Sequence, residues 1–183
     1  MGYGMMRVTT KIQNIVLSVT YADTEFDLEK LTKSIDGTVY DPEVFPGVVY
    51  KSKHPRASFL IFASGKMNCV GASSMSDAKQ AIGELTRKIR AAHIKVNTEP
   101  KVKVQNIVAS VNFGRKFDLD HIARSFDNTE YEPEVFPGLV FRLDDPKAVL
   151  LLFVSGKGVC AGAKSIKDVK RAAQKTSKIL LRH

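Results

Sequence analysis

Tyr40-Asp41-Pro42-Glu43-Val44-Phe45-Pro46-Gly47 is followed later in the chain by a near copy, Tyr131-Glu132-Pro133-Glu134-Val135-Phe136-Pro137-Gly138. Working outward from this pair, Ile12-Gln13-Asn14-Ile15-Val16 returns as Val104-Gln105-Asn106-Ile107-Val108, and Phe26-Asp27-Leu28 as Phe117-Asp118-Leu119. Phe62-Ala63-Ser64-Gly65-Lys66 returns as Phe153-Val154-Ser155-Gly156-Lys157, and Cys69 as Cys160. Equivalent positions lie 92 residues apart at the start (14 and 106) and 91 apart thereafter (40 and 131). The chain therefore reads as a first repeat over 1–96, a polar linker over 97–102 and a second repeat over 103–183. Two copies indicate a pseudo-twofold duplication, because a solenoid needs more repeats to bury its core.

Each copy reads strand, helix, several strands, helix. Residues 11–19 and 103–111 are rich in Val and Ile and are expected as strands. Leu28, Leu31 and Ile35 fall on one face of a short helix, as do Leu119, Ile122 and Phe126. Pro42, Pro46 and Gly47 force a loop before Val48-Val49-Tyr50 resumes as strand, Pro55 and Pro146 mark a further turn, and Ser64-Gly65-Lys66 and Ser155-Gly156-Lys157 predict hairpin turns. The last helix of each copy opens with Ser74-x-x-Asp77 or Ser165-x-x-Asp168, a capping pattern. Apolar residues then recur at helical spacing: Ala78, Ala81, Ile82, Leu85 and Ile89, and Val169, Ala172, Ala173, Thr176 and Leu180. The expected fold class is α+β, a curved antiparallel sheet with helices segregated to one face.

Helices on one face leave the opposite strand parity to solvent or to a partner. In the run 57–64 both parities are largely apolar: Ser58, Leu60, Phe62 and Ser64 against Ala57, Phe59, Ile61 and Ala63. The second copy sets Leu151 and Phe153 against Leu150, Leu152 and Val154. An apolar face without helices needs an occupant. The net charge of +9 and pI of about 9.6 favour a polyanionic one. Lys51, Lys66, Arg142 and Lys157 border the apolar runs. An apolar strip edged by cations suits the minor groove of DNA, whose floor is poor in distinguishing features and whose walls are phosphates. Burial of this face in a homodimer, or against an apolar ligand or protein, is the competing reading.

Other functions lack support. The two cysteines have no metal-ligand spacing and read as reduced and buried, and the four histidines are scattered. Ser-Gly-Lys lacks the flanking residues of a phosphate-binding loop, and the paired acids Asp144-Asp145 and Glu132/Glu134 stand near turns with no histidine beside them. No cofactor, metal or catalytic role is expected. No apolar run is long enough to span a bilayer, and the opening Met1 to Arg7 lacks the apolar stretch of a secretory signal, so the expected location is intracellular.

Gln-Asn-Ile-Val, Tyr-(Asp/Glu)-Pro-Glu-x-Phe-Pro-Gly, Phe-x-Ser-Gly-Lys and Gly-Ala-(Lys/Ser)-Ser, each present twice and in order, resemble the TATA-binding protein family. The resemblance runs from about Val8 to the C-terminus, and the short N-terminus is similar to archaeal members. It implies a saddle-shaped sheet with helices on its convex face, which grips the minor groove of promoter DNA. It also implies Phe45, Phe62, Phe136 and Phe153 as wedges between base steps, and Asn14 and Asn106 as central amide donors. Val16, Leu60, Val108, Leu151 and Val159 would line the same surface, with Val70 and Ala161 where the family usually has Thr or Ser, and Asn68 where an apolar residue is expected. Phosphates would fall to Lys51, Ser64, Lys66, Arg142, Ser155 and Lys157. Transcription factor B would dock at Glu132, Glu134 and Val135, bringing RNA polymerase indirectly, and the DNA-free protein would have the option of dimerising.

Overall fold

The structure, a computed structural model, describes residues 7–182; most of the stretch read for a secretory signal, and His183, lie outside the described residues. Among the described residues two compact units are present, one formed by residues 14–105, the other by 106–182 with 7–13. The boundaries of these units fall inside long strands. Strand β1 spans Thr9–Thr20 and β6 spans Lys101–Asn112, so Lys101 and Val102, expected in the linker, open a strand.

In the 14–105 unit β1 is followed by α1 (Leu28–Ser34), β2 (Thr38–Val39), β3 (Val48–Lys53), β4 (Arg56–Ile61), β5 (Lys66–Ala72) and α2 (Met75–Ala91). The strands are ordered β2-β3-β4-β5-β1, each pair antiparallel. The other unit repeats this with β6, α3 (Leu119–Ser125), β7 (Thr129–Glu130), β8 (Leu139–Asp144), β9 (Lys147–Leu152), β10 (Lys157–Ala163) and α4 (Ile166–Leu181), ordered β6-β10-β9-β8-β7.

The helices begin where their caps allow. The side chains of Asp27 and Asp118 accept from the amides of Lys30 and His121, and those of Ser74 and Ser165 accept at 3.0 Å from the amides of Asp77 and Asp168. The reciprocal half of the expected capping box is not formed. α2 and α4 turn the expected Ala78, Ala81, Ile82, Leu85 and Ile89, and Val169, Ala172, Ala173 and Leu180, onto the sheet, where all are buried. Alanine at closest approach lets a helix axis sit low on the strands. Beneath them lies one strand parity: Ile15, Leu17, Val19, Phe59, Ile61, Met67 and Cys69, with Ile107, Ala109, Val111, Leu150, Leu152 and Cys160 as counterparts. Burial pushes both cysteine thiols up to about 11, which leaves them protonated at neutral pH.

The two cores differ at one matched pair. Tyr50 accepts from Lys88 Nζ at 2.8 Å, and the equivalent residues are Phe141 and Ile179. A buried polar atom and its partner have been exchanged together for apolar groups, which avoids stranding either one.

Strand alternation also corrects the reading of 57–64. β4 ends at Ile61 and β9 at Leu152, so Ala63 and Val154 do not continue the buried parity; both are exposed in the turn that follows. That turn is closed by Phe62 N donating to Lys66 O and, in the second copy, Phe153 N to Lys157 O.

Candidate nucleic-acid interface

The parity opposite the helices is half-buried by its own neighbours and otherwise open. It carries Asn14 and Val16 on β1, Ser58 and Leu60 on β4, and Asn68 and Val70 on β5. In the other unit Asn106 and Val108, Val149 and Leu151, and Val159 and Ala161 occupy the same places. The expected minor-groove residues therefore share one face within each unit. No acidic side chain interrupts that face on β1, β4, β5, β6, β9 or β10.

Asn14 and Asn106 owe their orientation to a feature absent from the motif reading. The pairing of β1 with β5 slips by one residue between Ile15 and Leu17, because the three steps from Cys69 to Ala72 oppose two on β1. Gly71 is in the left-handed region, at φ 88°, so the extra residue forms a glycine bulge. Its amide points at Asn14 Oδ1, 2.6 Å away. Gly162, at φ 90°, does the same for Asn106, again at 2.6 Å. With the carbonyl oxygen of each amide held by its own protein, the exposed group is Nδ2, a donor. The bulge also resets the strand parity, which turns Ala72 and Ala163 into the core after two consecutive open-face positions.

The four phenylalanines form two pairs. Phe45 meets Phe62 edge to face with ring centres 5.8 Å apart, and Phe136 meets Phe153 at 5.9 Å. Each pair rests on the glycine that ends the repeated octapeptide. A Cβ on Gly47 would come within 2.9 Å of Phe45 and 3.2 Å of Phe62; one on Gly138 would come within 2.8 Å of Phe136 and 2.9 Å of Phe153. The Pro-Gly step, read from sequence only as a turn, is also the floor of each aromatic pair. Phe136 is 43% exposed, unusual for a phenylalanine in a folded domain.

Lys51, Ser64, Lys66, Arg142, Ser155 and Lys157 are all exposed. Alternation adds Arg56 with Ser58 and Leu60, and Lys147 with Val149 and Leu151, to the same side; parity with those apolar residues was the available signal. Arg142 is 3.5 Å from Glu130, an exposed ion pair too weak to withhold the guanidinium from a phosphate. Ser155 Oγ accepts from Lys157 N at 3.3 Å, so its acceptor capacity is partly used within its own turn.

Glu132, Glu134 and Val135 sit on an exposed loop, where Val135 is 80% exposed and its counterpart Val44 81%. The loops differ in chemistry. Asp41 accepts from the amide of Glu43 at 3.1 Å and folds into its own turn. Glu132, one methylene longer, makes no such bond. Asp145 lies 3.6 Å from Arg171, which also pairs with Asp168.

Among the described residues no cluster of His, Cys, Asp and Glu could hold a metal ion, and no helix is long and apolar enough to cross a membrane.

The chain matches the family model "Transcription factor TFIID (or TATA-binding protein, TBP)" over residues 9–92 and again over 101–183. It is 48% identical over 172 residues to the TATA-box-binding protein of Methanothermobacter thermautotrophicus, covering 94% of each chain. It is 46% identical over 169 residues to the TATA-box-binding protein E of Halobacterium salinarum, covering 91% of this chain and 90% of that one. A solved structure of Methanococcus jannaschii TBP has the same fold, with a TM-score of 0.89 and 44% identity, covering 95% of this chain and 99% of that one. Duplicated units, each with helices on one face of a sheet and the other face open, agree with these matches, and the chain belongs to the TATA-binding protein family.

Proposed function

We propose that this protein is a general transcription initiation factor that binds the minor groove of TATA-box promoter DNA through its open strand face. The observation that carries the reading is the pairing of Phe45 with Phe62 and Phe136 with Phe153, each seated on a glycine beside an open strand face whose β1, β4, β5, β6, β9 and β10 carry no acidic side chain. In this reading cations draw the duplex in: Lys51, Arg56, Lys66, Arg142, Lys147 and Lys157, with Ser64 and Ser155, meet phosphates and release counterions. Val16, Leu60, Val70, Val108, Leu151, Val159 and Ala161 then follow the groove floor by contact. Asn14 and Asn106, with Oδ1 engaged, present Nδ2 to adenine N3 or thymine O2, whereas a guanine amino group would meet donor with donor. The phenylalanine pairs enter base steps. Unstacking a step costs about a few kcal/mol, offset by the protein surface that the kinked, widened groove then reaches.

Transcription factor B is assigned to Glu132, Glu134 and Val135, through which the complex would recruit the polymerase machinery. The free Glu132 carboxylate, against the self-engaged Asp41, supports the second loop over the first.

The test is a fluorescence bend assay on a TATA-containing duplex with Phe62→Ala, Phe153→Ala and the double variant. Weaker binding and a smaller bend are expected, with thermal unfolding little changed because the rings lie outside the core. Full bending by the double variant would end the wedge assignment.

A further inference from the structure

The duplication supplies an internal control at one position of the open face. Asn68 on β5 is flanked by Ser18 on β1 and Leu60 on β4. Its counterpart Val159 on β10 is flanked by Ser110 on β6 and Leu151 on β9. The flanking hydroxyls are also treated alike: Gln105 Nε2 donates to Ser18 at 2.9 Å and Gln13 Nε2 to Ser110 at 3.0 Å. The cross-strand partners match, and the central side chain is an amide in one copy and a branched hydrocarbon in the other.

The Asn68 amide forms no hydrogen bond with another described residue. It therefore differs from Asn14, whose oxygen is held by Gly71 and which can offer only a donor. An amide pressed against a base pair without a partner costs about 1–3 kcal/mol, so a bound duplex must satisfy it. Free rotation lets it do so in two ways: Nδ2 donates to adenine N3 or thymine O2, or Oδ1 accepts from the exocyclic amine of guanine. Val159 can do neither, and would bury that amine unpaired.

Resting on the open face as the DNA surface, we infer that Asn68 makes the first repeat's half of the site tolerant of one G·C pair that the second repeat's half excludes. This difference, beside Ser58 against Val149 and Val70 against Ala161 on the same face, lets the protein prefer one orientation on a site interrupted by G·C.

The experiment moves a single G·C pair through every position of an A·T-rich TATA duplex and measures affinity for wild type, Asn68→Val and Val159→Asn. Both variants place in one copy the residue that the other already carries, so the fold has a precedent for each. Wild type should show one tolerated position, in one half only. Asn68→Val should raise the penalty there about five- to ten-fold, taken relative to the same variant's affinity for the uninterrupted duplex. Val159→Asn should create a second tolerated position in the opposite half. Equal penalties in both halves of the wild-type profile, or a profile unmoved by Asn68→Val, with A·T binding intact, would overturn the assignment of Asn68 alone. Absence of binding to the uninterrupted duplex in all three proteins would overturn the DNA-binding reading and this inference with it.

Discussion

One Cβ separates Gly138 from alanine, and it would occupy space held by the rings of Phe136 and Phe153. The backbone there is not in the left-handed region, so alanine meets no conformational penalty and the conflict lies with two movable rings. Gly138→Ala is therefore expected to displace the aromatic pair rather than unfold the unit. Thermal unfolding should shift by a few degrees at most, corresponding to about 1 kcal/mol, while TATA affinity falls and the bend at one end shrinks. Retention of the full bend would show that the pair need not rest on this glycine. Gly47 is less clean, because its Cβ would also come within 3.0 Å of the Ile61 carbonyl.

Helices α2 and α4 cover the core without facing the proposed groove, which separates stability from binding. Ser74 and Ser165 each satisfy one free amide at the start of these helices. Replacing either by alanine is expected to cost about 1 kcal/mol of stability, and replacing both about twice that, since the two caps belong to different units and share no hydrogen-bond partner. The double variant should unfold earlier in urea with an unchanged m-value and bind TATA duplex with wild-type affinity when folded. A loss of affinity equal to the loss of stability would tie the helices to the binding surface and contradict that separation.

Across the whole molecule, near-identity of the repeats raises the question of direction. Two equivalent faces reading an A·T-rich groove have little means of choosing an orientation, and an asymmetric partner supplies one. The second end carries Glu132 and Glu134 on its exposed loop, with Asp144 and Asp145 in the turn that follows, whereas Lys51, Lys53 and Arg56 follow the first loop. Glu132→Lys with Glu134→Lys should abolish ternary complex with transcription factor B while leaving binary DNA binding largely intact, since exposed loop charges act chiefly on encounter and register. Asp41→Lys with Glu43→Lys should have a much smaller effect on the ternary complex. A gel-shift titration in which both double variants lose ternary complex equally would remove this assignment of polarity.

The duplication, the strand parities and the buried faces of α2 and α4 were legible in the chain because each is a pattern of spacing, and spacing within an element translates directly into face, whereas the phenylalanine pairs were legible only through the family resemblance. Repetition strengthened each reading by presenting it twice. Three decisions belonged to tertiary structure alone. The bulges at Gly71 and Gly162, and the capture of Asn14 and Asn106 by their amides, depend on the register of strands more than fifty residues apart in sequence. The role of Gly47 and Gly138 beneath the rings depends on which side chains converge over a missing Cβ. The boundaries of the compact units fall inside β1 and β6, where the composition gives no sign of a break, because compactness is set by contacts across space and not by the order in which the repeats are written.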